Sequence, residues 1–141
     1  MKTEEVPFNR FLGIRPSART GYILELADKD YLLNHLGTLH AGALFSLAEA
    51  TSGEFLLRQF HHSELDVIPV VRKAEIKYSR SAESPVYSTA DFTENSVDEI
   101  HAGLKERGKV LVEVRVELYD ETNERIAVSG IQWFLALAQK A

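Results

Sequence analysis

HAGALFSLAEATSGEFLLRQF, residues 40–60, reads as a helix by its length and by the recurrence of Leu44, Leu47/Ala48, Thr51 and Phe55 at steps of three and four. It follows the Gly37-Thr38 turn and is expected to run from about His40 to Phe60. Ala41, Gly42, Ala43, Ser46, Ala48, Ala50, Ser52 and Gly53 make it small-sided, so a curved sheet can approach it over most of its circumference. Glu49 stands in its middle. One and two turns away on the same face are Gly42, Phe45, Ser46, Ser52, Gly53 and Leu56, and none of these is a cation that could pair with it. Glu54, by contrast, has Arg58 four residues on, the spacing of a solvated helix pair.

Around this helix the chain reads mostly as strands. Pro7 to Leu12 looks like a short helical lead-in, and Thr20 to Ala27 alternates with Tyr22, Leu24 and Leu26 on one face. Ile68 to Tyr78 reads as a strand with Val70, Ala74, Ile76 and Tyr78 sharing a face with Arg72; Val86 to Thr93 follows the Pro85 break. Ser96-Val97-Asp98-Glu99 has capping-box spacing, so Val97 to Glu106 is expected as a short helix ended by Arg107-Gly108. Val110, Val112, Val114, Val116 and Leu118 alternate strictly, and the turn at residues 120–124 leads back into Ile126 to Leu137, so the pair reads as a long hairpin. Trp133 lies out of phase with Ile126, Val128 and Phe134 and is expected on the side away from the helix. One long helix followed by long strands is an α+β pattern, an antiparallel sheet packed on a helix.

Composition bounds the reading. The 141 residues fit a single domain spanning 1–141, with 45% hydrophobic and 26% charged residues. The formal charge is −5 and the basic residues are scattered, which argues against nucleic acid or an anionic membrane as main partner. Zero cysteines exclude disulfides and thiolate chemistry. The first ten residues lack the apolar core of a signal peptide, and no apolar run approaches the roughly 20 residues of a membrane span, so a cytoplasmic location is expected. His101 is distant from His61-His62 and no ligand spacing accompanies them, so no metal site is expected. There is no phosphate-cradling glycine loop and no Gly-x-Ser-x-Gly elbow.

Asn34, Gly37, His40, Gly42 and Glu49, with Asn34 six residues before His40 and Glu49 nine after it, resemble the motif of the hot dog fold, and specifically of its thioesterase superfamily in the branch with phenylacetyl-CoA-type and human-type acyl-CoA thioesterases. Tyr78-Ser79-Arg80-Ser81-Ala82 is similar to that family's later strand end. The resemblance implies a long central helix wrapped by a curved antiparallel sheet, a substrate that is acyl-CoA or another acyl thioester, no cofactor, and a homodimer or dimer of dimers with sites across the subunit interface. The chain departs from the family in three places. His40-Ala41-Gly42 stands where many relatives carry His-Gly-Gly, Glu49 stands where the branch often has Asp, and Val71 or Arg72 stands before Lys73 where relatives can carry a hydroxyl.

The residues suit hydrolysis on their own chemistry. A thioester carbonyl becomes an oxyanion on attack, and the free amides of a helix start, here Ala41 and Gly42, are fixed donors aided by the helix dipole. Glu49 suits a base for water, and Asn34 offers both a donor and an acceptor. His40 and Gly37 are expected to position the substrate. Nine helical steps of ~100° put His40 and Glu49 on opposite sides of one helix. A single subunit therefore cannot readily focus both on one carbonyl, and a site shared between two chains is expected.

Each residue also has a structural reading. Glu49 could be bonded to the hydroxyls of Ser46 or Ser52. His40 could cap the helix. Asn34 and Gly37 could serve the turn alone, His35 is expected on the surface, and His61-His62 look like a polar helix end. Two further functions stay open: a non-catalytic acyl-thioester or fatty-acyl binding domain, and a hot dog dehydratase.

Overall fold

The small-sided helix, α2 (Ala41–Gln59), forms the axis of the computed structural model, which describes residues 1–61 and 63–138. His62 therefore lies outside the described residues. Leu44, Leu47, Ala48, Thr51 and Phe55 are buried as their spacing implies, but so are Ala43, Ser46, Ala50, Ser52 and Leu56. Short side chains let neighbours close in on nearly every side.

Before α2 come α1 (Pro7–Leu12), which opens on proline, the two-residue β1 (Arg15–Pro16) and the three-residue β2 (Leu24–Leu26). The strand expected over Thr20 to Ala27 is thus shorter. Tyr22 N–H turns back to the Arg19 carbonyl and Gly21 adopts φ 91°, so the chain is still turning where alternation suggested extension. After α2 follow β3 (Val67–Tyr78), β4 (Val86–Phe92), α3 (Val97–Arg107), β5 (Lys109–Tyr119) and β6 (Arg125–Leu137). Ser96 caps α3 by accepting the Glu99 N–H at 3.2 Å, and Gly108 ends it at φ 75°. All strand pairs are antiparallel, in the order β1-β2-β4-β5-β6-β3.

The inward faces of the sheet and α2 share one core, with Leu24, Leu26, Val112, Val114, Val116 and Leu118 nearly inaccessible. A polar link crosses it. Ser88 Oγ donates to the Leu24 carbonyl at 3.1 Å and lies 2.6 Å from Thr51 Oγ1, so helix, β2 and β4 meet at one satisfied cluster.

Two strand faces differ from expectation. Trp133 does not face away from the helix: its Nε1–H donates to Ser52 Oγ at 2.9 Å on α2 and its ring borders Gly53. The register gives the reason. Val112, Val114 and Val116 pair across the ladder with Trp133, Ile131 and Ser129, and paired residues share a face. Val128 and Phe134 therefore lie on the outer face, and Ile126 is buried beyond the register shift between Leu118 and Tyr119. In β3 a bulge at Arg72 shifts the phase between Val71 and Lys73. Val70 thus lies beside Phe134 on the outer face, not with Ala74 and Ile76, which pack on the core.

Candidate functional site

The start of α2 is tied down on three sides. His40 N–H donates to the Leu32 carbonyl at 2.8 Å, Leu39 N–H to the Ala82 carbonyl at 2.9 Å, and the Tyr78 hydroxyl to the Ala41 carbonyl at 2.9 Å. The segment 78–82 is thus brought against the helix start. His40 is the N-cap: its Nδ1 accepts the Gly42 N–H at 2.8 Å, an arrangement that places the proton of the neutral ring on Nε2. One of the two expected amide donors is consequently engaged. The Ala41 N–H has no acceptor among the described residues, sits at the exposed first position, and is aided by the dipole of a 19-residue helix.

Asn34 organises the preceding turn. Its Oδ1 accepts from the Leu36 and Thr38 amides at 2.9 and 3.1 Å, and its Nδ2 lies 2.9 Å from Thr38 Oγ1. One N–H of its amide has no acceptor among the described residues. Gly37, at φ 77° and exposed, supplies the left-handed residue that closes this turn. His35 is exposed, and His61 follows α2 on the surface.

Glu49 lies elsewhere. It is half-buried and lines a cavity of about 240 Å³ with Thr3, Asn9, Gly53, Pro69 and Trp133 among its walls. The nearby hydroxyls are spent on the backbone: Ser46 Oγ donates to the Gly42 carbonyl at 2.8 Å and Ser52 Oγ to the Glu49 carbonyl at 2.7 Å. The carboxylate has no hydrogen-bond or ionic partner among the described residues, and burial pushes its pKa above the ordinary value. Glu54, one turn on, does pair with Arg58, at 3.9 Å.

Within one chain, then, Asn34, Gly37, His40, Ala41 and Gly42 come together around the helix start, while Glu49 opens into a cavity that none of them lines. Sequence reasoning missed Asn9. It is buried, donates through Nδ2 to the Thr3 carbonyl at 3.0 Å, and reaches Glu49's cavity because α1 buries Asn9 and Leu12 while exposing Phe8 and Phe11. That face is the reverse of what side-chain polarity suggests, so no sequence signal marked it. Among the described residues no three His, Asp or Glu side chains converge as a metal site would require, and no helix is long and apolar enough to cross a membrane.

A long helix wrapped by an antiparallel sheet of this order is the hot dog fold of the thioesterase superfamily. The chain belongs to the family described as a domain of unknown function (DUF4442), whose model matches residues 12–135. Among solved structures it is similar to a Pseudomonas aeruginosa protein of unknown function described as a probable thioesterase, at 27% identity and TM-score 0.79, covering 96% of this chain and 91% of that one. A thioesterase from Haemophilus influenzae matches at 18% identity and TM-score 0.73, covering 97% and 87%. A Bacillus halodurans protein solved with CoA matches at 16% identity and TM-score 0.63, covering 79% and 69%. No curated protein matches the chain.

Proposed function

We propose that the chain, as one domain over 1–141, is an acyl thioester hydrolase whose site is shared between two copies. The observation that carries this is Glu49: a half-buried carboxylate with no partner among the described residues, facing a cavity, in the fold of the thioesterase superfamily. Water held at Glu49 attacks the thioester carbonyl as the carboxylate takes its proton. The oxygen of the tetrahedral intermediate rests on the Ala41 N–H of the other copy. The C–S bond then breaks, Glu49 returns the proton to the leaving thiolate, and a carboxylic acid and a free thiol depart.

The arrangement along β3 supports the sharing. Pro69, at one end of the strand, borders Glu49's cavity, while Tyr78, at the other end, holds Ala41. β3 is an edge strand, and an antiparallel pairing of two such edges sets the Pro69 end of one against the Tyr78 end of the other. The test is a hydrolysis screen over an acyl-CoA panel, detecting free thiol; binding of acyl-CoA without any turnover would sink the hydrolase reading. A second reading, a non-catalytic acyl-thioester binding domain, is favoured by one observation: the Gly42 N–H and most of the Asn34 amide are already engaged within the protein.

A further inference from the structure

The cavity beside Glu49 does not end at Gly53. A second cavity, of about 310 Å³, continues along α2, and the two share Gly53, Leu57 and Pro69 as walls. Beyond that joint the walls include Leu56, Phe60, Leu65, Val67 and Leu135. Phe60 is held in place by stacking on the His101 ring, with centroids 5.2 Å apart and planes 19° from parallel. Glu49, Thr3 and Asn9 are the polar groups at the carboxylate end, among mostly apolar walls that include Val6, Phe8 and Trp133; further along, His61 and Asp66 are the polar ones. A largely apolar cleft with Glu49 towards one end fits a ligand with a reactive polar end and an aliphatic tail.

We infer that the groove from Gly53 to Phe60 holds the acyl chain of the substrate, that Gly53 is the gate into it, and that the substrates are straight medium-chain acyl thioesters. The inference rests on the reading of this cleft as the acyl thioester site. Glycine matters at this joint because of the space it leaves. A Cβ there would sit 3.4 Å from Trp133, at the near edge of ordinary contact, and Gly53 lines both cavities, so a larger side chain would narrow the joint between them. Length sets the upper limit. From Glu49 to Phe60 the helix rises roughly 16 Å, about the span of an extended decanoyl to dodecanoyl chain. The fixed Phe60 ring then stops longer tails, and branched or aromatic acyl groups meet the narrow passage at Gly53.

The test uses S-ethyl-, S-hexyl- and S-decyl-CoA, thioethers that cannot be hydrolysed, titrated calorimetrically against the full chain. Affinity is expected to rise about fourfold per buried methylene. In Gly53→Leu the ratio of S-decyl to S-ethyl affinity should collapse towards one. Leu57→Lys, a change at a half-exposed wall that leaves the helix intact, should lower the same ratio and serves if the first variant does not fold. Because the readout is a ratio within one preparation, a general loss of binding cannot imitate it. A wild-type ratio near one, no binding of any thioether, or an unchanged ratio in both variants overturns the assignment. Hydrolysis of the matching acyl-CoAs is followed in parallel. A steep length dependence without turnover keeps the groove and removes the hydrolase reading, whereas turnover with no length dependence removes the groove alone.

Discussion

A carboxylate that the protein half-buries and leaves without a partner destabilises the fold that carries it. For Glu49 the sign is definite. Its folded pKa is raised by burial, so the folded state holds the proton more tightly than the unfolded chain, and stability falls as pH climbs from about 4.3 through the raised value. The penalty grows until the pH passes that raised value. Glu49→Gln should therefore melt at or above the wild-type temperature at neutral pH and converge with it in acid; a lower melting temperature at neutral pH would mean that the carboxylate has a stabilising partner. The same variant should lose on the order of 10² to 10⁴ in turnover, and wild-type kcat/KM should rise with pH through that raised pKa. Ala41 allows a matching test on the donor side. Proline is well accepted at the first position of a helix, and it deletes only the N–H that is free in this structure. Ala41→Pro should keep its melting temperature and lose on the order of 10²-fold in turnover, whereas His40→Ala should lose about 1 kcal/mol of stability with the cap. The isolation of Glu49 was legible in the sequence, because the absence of a cation at three or four residues is a local property. The state of Asn34 and Gly42 was not, since whether an amide faces a ligand or its own turn depends on backbone angles that residue type does not fix.

At the level of elements, strand existence was legible and strand phase was not. β5 declares its inner face through five alternating apolar residues, but β6 is apolar on both sides, so only its ladder with β5 decides that Trp133 points inward. Trp133→Phe should then destabilise by about 1–3 kcal/mol, because Ser52 loses its donor in a dry contact; an unchanged melting curve would place the indole outside the core. The bulge at Arg72 is equally silent in composition and inverts the face of everything before it in β3. Packing of α3 on β5 gives a sharper test. Alanine at Gly103 would gain about 1 kcal/mol of helix propensity, yet its Cβ would collide with Val110 Cγ1 and with Arg107. Gly103→Ala should be net destabilising by about 1–3 kcal/mol, and adding Val110→Ala should recover part of the loss in thermal melts.

For the whole molecule, the proposal of a site shared between two copies makes a prediction that no single-chain site can imitate. Glu49→Gln and Ala41→Pro chains should each be nearly inactive, yet co-expressed they should form mixed dimers with one site assembled from two intact halves. Activity should return to a fraction of wild type; if mixing restores nothing although mixed dimers are present, both groups act within one chain. Sedimentation should give a mass of two or four times the 15.9 kDa chain. β3 carries a wider consequence. It has twelve residues and one ladder, to β6, so along its other side a row of backbone N–H and C=O groups faces outward, interrupted only by Pro69 and the bulge. Such a rim makes dilution a stress in its own right. If a second copy normally covers it, the apparent melting temperature should drop with every tenfold reduction in protein concentration, and the diluted chain should begin to adsorb extended peptides. A chain whose rim is self-sufficient would melt at the same temperature at every concentration.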